Sequence, residues 1–132
     1  MTCLLRRGLA AFVPFLLAGL LAGCGSPTAP SGAVDFVVDV AGERFVLRLT
    51  NPSAIGLAEA NLRGVNNRFP LGTVRRGDGG FNQPWSWHLD PADTTLVELA
   101  IEVCDGRPSH LETHLDEYPT YCPWGARVVG RR

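Results

Sequence analysis

Two groupings of side chains in this sequence have the types and spacing to do chemistry. The first is His110, His114 and Glu117. On a helix, residues four and three apart share a face. Two imidazoles and a carboxylate so placed suit a divalent metal. The string His110-Leu111-Glu112-Thr113-His114 is not the HExxH of zinc proteases, because Glu112 is directed away from the His pair. The competing reading is a polar stripe facing solvent. The second grouping is the stretch from Phe81 to Pro91. Its Asn82, Trp85, Trp87 and His88 are candidate ligand contacts, with Trp faces suited to sugars or flat rings. The competing reading puts both Trp in the core and gives Asn82 and Asp90 to turns. Arg76-Gly77-Asp78 reads as a turn, and Asp90 and Asp93 as turn and strand-start residues. There is no nucleophile elbow, P-loop or dinucleotide fingerprint, so no catalytic residue is assigned and no cofactor is implied.

The elements that must hold these residues follow from periodicity. Residues 34–40 and 44–49 alternate as half-buried strands. Paired across Ala41-Gly42, they set Val38 against Phe45, Phe36 against Leu47 and Val34 against Leu49. The opposite face sets Asp39 against Arg44 and Asp35 against Arg48, and a one-residue slip would lose every match. Asn51-Pro52 predicts a helix start and Gly64 its end, with Ile55, Ala58 and Leu62 as the buried stripe. Residues 68–76 predict a strand interrupted by Pro70 and Gly72. Residues 85–89 predict another. Thr95 to Cys104 is the clearest strand of all, with Val97, Leu99, Ile101 and Val103 on one face. Pro108 to Tyr118 predicts a second helix, and residues 126–129 a short last strand. The expected fold is α+β, a small antiparallel sheet with two helices packed on it and one disulfide.

The first 23 residues predict an export signal, with Arg6 and Arg7 ahead of an apolar run. It ends in Leu21-Ala22-Gly23-Cys24, which resembles the lipobox of bacterial lipoproteins. That resemblance implies a cut before Cys24 and lipid on its thiol. Residues 24–32 then form the lipidated Cys and a Gly-, Ser- and Pro-rich tether, and 33–132 a single domain. The membrane, reached through lipid on Cys24, is the first expected partner. The expected location is a bacterial cell envelope, and the outer membrane if the host is a diderm. Cys3 leaves with the signal, so Cys104 and Cys122 remain as a lone pair. A metal site built on them lacks further ligands at CxxC spacing, which leaves a disulfide. Closing that loop stabilises by about 3 kcal/mol in the chain-entropy model.

All 12 basic residues are Arg, and they face 13 acids. Loss of the signal removes two Arg and no acid. The acidic remainder has no basic excess for a phosphate backbone, and no nucleic-acid partner is expected.

Six strings together carry a family resemblance. They are Asp35-Phe36-Val37-Val38, residues 45–50, residues 76–82, residues 85–91, residues 102–109 and Tyr121-Cys122-Pro123-Trp124. They resemble small exported bacterial proteins that share the N-terminal domain of the slime-mould protein BP-seventy-four, over about residues 33–130. The resemblance implies a cation-dependent nuclease as one alternative, with no catalytic residue to carry over. The expected function is a lipid-anchored binding or interaction module for an unknown ligand or envelope protein. The alternative is a small divalent-metal hydrolase using His88, Asp90, His110 and His114. A purely structural envelope protein is the third reading.

Overall fold

The alternating residues near the start of the domain form a hairpin of β1 (Val34–Val40) and β2 (Glu43–Leu49). In the computed structural model, which describes residues 32–101 and 103–132, every pair expected from the sequence is present, Val34↔Leu49 through Asp39↔Arg44. Arg48 donates two hydrogen bonds to Asp35, at 2.7 and 2.8 Å. The two-residue turn needs positive φ at both positions, and Ala41 (52°) and Gly42 (88°) supply it. The signal segment, Cys24 and the tether up to Ser31 lie outside the described residues.

Helix α1 (Pro52–Leu62) starts as expected: Asn51 Oδ1 accepts from the Ser53 and Ala54 N–H groups. Its buried stripe is Ala54, Ala58 and Asn61, rotated from the expected one, and Leu62 is exposed. Asn61 explains the rotation. Its amide donates to the carbonyls of Asn66 and Arg68, and its Oδ1 accepts from Val128 N–H. Four bonds to backbone and side chain hold a buried amide that periodicity alone assigns to solvent.

β3 (Phe69–Arg76) runs unbroken through Pro70 and Gly72. It is the spine of the second sheet. Along its length it pairs antiparallel with β5 (Thr95–Val97), β6 (Thr120–Tyr121) and β4 (Trp87–Leu89). Gly72 is required there, since a Cβ would lie 2.2 Å from Thr94 Oγ1. β7 (Arg127–Arg131) adds to the hairpin as β2-β1-β7. The α+β class holds, as two small antiparallel sheets with one more strand, β6, than the sequence suggested. Helix α2 (Pro108–Thr113) stops short of the expected Tyr118. Among the described residues no helix is long and apolar enough to cross a membrane.

The core lies between the sheets. Phe36, Val38, Phe45, Leu47 and Leu49 point inward, against Ala54, Ala58, Leu96 and Leu111. Phe45, Trp87 and Tyr121 form an aromatic cluster with centroids 5.3–6.0 Å apart. Cys104 and Cys122 are joined as a disulfide, with Cα atoms 5.1 Å apart.

One expected element is corrected. The strand predicted over Thr95–Cys104 ends at Val97. Val97 pairs with Phe69, the first residue of β3. Pairing beyond it would fall on residues 65–68, whose carbonyls at 66 and 68 are already taken by Asn61. The ladder has no partner to continue on, and Leu99, Ile101 and Val103 leave the sheet.

Candidate functional site

The four candidate ligand contacts do not form one surface. Asn82 is fully buried; it accepts from Val46 N–H (2.7 Å) and donates to the Trp87 carbonyl (2.7 Å). Trp87 is fully buried in the aromatic cluster. Burial takes both out of a solvent-facing site. Trp85 is half-buried, and its Nε1 donates to the Arg44 carbonyl at 2.8 Å. His88 is half-buried, with Nδ1 2.7 Å from the Gly77 carbonyl and its ring against the edge of Phe81. Asn82 and Trp85 thereby fasten the 77–89 segment to the hairpin, and His88 braces the segment internally. Ser86 belongs to the same fastening, donating from N–H and Oγ to Glu112 of α2.

The grouping of His110, His114 and Glu117 keeps two of its three members together. The His110 and His114 rings stack at 4.0 Å, with Tyr118 edge-on to His110. α2 ends at Thr113, so Glu117 follows a turn and does not continue a helical face. Among the described residues no group of three or more His, Cys, Asp or Glu side chains is placed to hold a metal. Asp90 is engaged elsewhere: the Ala92 N–H and then the Arg75 guanidinium hold its carboxyl below the usual range. Asp78 is lowered likewise by the Gly80 N–H and the Gln83 side chain.

A polar hollow of about 370 Å³ lies over the outer face of the hairpin, lined by Asp35, Arg48, Phe81, Gln83 and Arg132. Its central groups are satisfied within the protein. Arg48 is paired with Asp35 and stacks over Phe81 at 4.4 Å. Its proton is held more tightly than usual by the Asp35 hydrogen bonds.

The feature left without an internal role is apolar. Leu99 is 76%, Ile101 93%, Val103 96% and Trp124 52% exposed. Leu99 and Trp124 border a hollow of about 240 Å³ with Phe69, Glu98 and Ala100. The disulfide and the Trp124 N–H bond to Asp105 (2.9 Å) fix the ends of this region relative to each other. The sequence placed Leu99, Ile101 and Val103 on one face of a strand and named neither Phe69 nor Trp124 as a candidate contact. A usable signal was present in Pro123-Trp124-Gly125, because a large ring inside a Pro-Gly turn is poorly placed for burial.

Residues 32–132 match the family model of the BP-seventy-four N-terminal domain. No curated protein and no solved structure matches the chain. The match spans most of the sequence, and the chain belongs to the BP-seventy-four N-terminal domain family.

Proposed function

We propose that this domain is an interaction module, held at a bacterial cell envelope by lipid on Cys24. It engages a protein through the face formed by Leu99, Ile101, Val103 and Trp124. The observation that carries this reading is the exposure of Leu99, Ile101, Val103 and Trp124, with Leu99 and Trp124 bordering one hollow. Apolar residues scattered singly over a surface need no explanation, but a contiguous patch marks a site of contact. Trp is also among the residues most enriched where proteins meet. The lipid reading is supported by Leu21-Ala22-Gly23-Cys24 and by a following stretch too polar and Pro-rich to join a core. In a diderm host the outer membrane is the expected site.

The test is photo-cross-linking in the producing cell. A photoreactive phenylalanine analogue replaces Leu99 or Trp124 in the full chain, and in a control Arg63, an exposed residue at the C-cap of α1 that does not line the hollow. The expected result is discrete adducts from positions 99 and 124 and none from 63. Absence of adducts at all three positions, or equal labelling of all three, would contradict the reading.

A further inference from the structure

We propose that the outer face of the β2-β1-β7 sheet binds an acidic polysaccharide whose carboxylates are spaced by neutral sugars. This face shares no residue with the apolar one around Leu99 and Trp124, and the proposal does not rest on it.

Strand register assembles the face. Side chains directly opposite one another in an antiparallel pair lie on the same side of the sheet. Asp39 is opposite Arg44 on β2 and Arg127 on β7. Asp35 is opposite Arg48 on β2, and its carbonyl accepts from the Arg132 N–H at 2.9 Å, just past the end of β7. Between these two charged rows Val37 is opposite Val46 and Gly130, and Gly130 has no side chain to cover it. Two hollows of about 370 Å³ each lie over the face and share Gln83 and Arg132. Asp35 and Arg48 line one; Val37, Arg44 and Val46 line the other.

Charge on this face is unbalanced. The guanidinium groups of Arg44, Arg48, Arg127 and Arg132 stand against the carboxylates of Asp35 and Asp39. Arg48 is paired with Asp35, and Arg44 with Asp39. Arg127 and Arg132 pair with no acid among the described residues. An α-carboxylate following Arg132 would still leave the cations in excess. Asp35 takes two N–H donors of Arg48, and a guanidinium has more to offer.

Spacing selects the occupant. The Asp35 and Asp39 rows are four residues apart on β1, roughly 13 Å. A nucleic-acid strand carries a phosphate about every 3.4 Å along its axis. Laid across this face, its middle phosphates would rest on the Val37 row, where no cation meets them. A polysaccharide with sparser acids avoids that conflict. Its carboxylates meet the Arg rows in the forked geometry that guanidinium groups favour. Neutral sugars between them set C–H groups on Val37 and Val46, and Gln83 borders both hollows with an amide suited to a sugar hydroxyl.

Hyaluronan, with a carboxylate on every second sugar, is the probe. Its methyl ester keeps the backbone and removes the charge, and polyphosphate supplies closely spaced anions. Binding of the full chain in detergent is read by surface plasmon resonance on each of the three. Hyaluronan is expected to bind, and the methyl ester about tenfold more weakly or worse. Arg127→Gln combined with Arg132→Gln is expected to weaken hyaluronan binding by about tenfold. Both residues are exposed, so the melting temperature should not change. Arg63→Gln, at the exposed C-cap of α1 and off this face, should leave binding intact. No binding of hyaluronan, equal binding of the ester, or an equal loss in Arg63→Gln would overturn the proposal. Tighter binding of polyphosphate than of hyaluronan would overturn the polysaccharide as occupant.

Discussion

Asn82 stands in for a neighbouring strand. Its carbonyl oxygen accepts from Val46 on the hairpin, and its amide donates to the carbonyl of Trp87 on β4, both at 2.7 Å and both buried. Alanine at this position would leave two buried backbone groups without partners. Each orphan costs about 1–3 kcal/mol. We therefore expect Asn82→Ala to lower stability by roughly 2–4 kcal/mol in thermal or denaturant unfolding. Trp85→Phe removes one partly exposed bond and should cost about 1 kcal/mol. Equal, small effects of the two changes would contradict a clamping role. The same arrangement explains why a polar, Trp-containing string reads as a ligand site. Residues that close a strand edge are of the same types as residues that line a pocket, and sequence alone does not say which backbone they face.

Elements were legible where their partners are close in sequence. The hairpin register followed from charge and apolar matching across a two-residue turn, and Asn51-Pro52 marked the start of α1 correctly. The strand at 95–104 was legible in type but not in extent. Its length depends on β3, far upstream in the chain, where Phe69 is the last partner available to Val97. β3 in turn begins only where the Asn61 network ends. No local pattern reports that. α2 shows a similar dependence. Arg107 at its N-cap offers no side-chain cap, and Glu43 of β2 supplies one by accepting the Ser109 N–H and Oγ, each at 2.8 Å. Those bonds, the backbone N–H first, hold the Glu43 carboxyl below its usual range. A lowered folded value means that this stabilisation is present above the ordinary carboxylate range near 4.5 and is lost as pH falls through the folded value. Melting temperature should therefore decline on acidification below about pH 4.5. In Glu43→Gln the neutral-pH melting temperature should be lower and the acid decline shallower. An unchanged acid decline in that variant would show that Glu43 does not link β2 to α2 through its charge.

At the scale of the whole molecule, the most exposed apolar side chains among the described residues include Ile101 and Val103 after β5. Both sheets bury their inner sides, two strand edges are plugged by side chains, and the disulfide ties the α2 region to β6. Leu99, Ile101, Val103 and Trp124 remain outside. On the lipid-anchor reading, residues 24–32 span at most about 30 Å when extended. The domain would then stay close to the membrane. A partner seated on this face would remove the exposed side chains of Leu99, Ile101, Val103 and Trp124 from water. The measurement that tests this most directly is photo-cross-linking of the full chain in the producing cell, from positions 99 and 124 against position 63. The account predicts discrete adducts from positions 99 and 124 and none from 63. No adduct at any of the three positions, or equal labelling of all three, would contradict it.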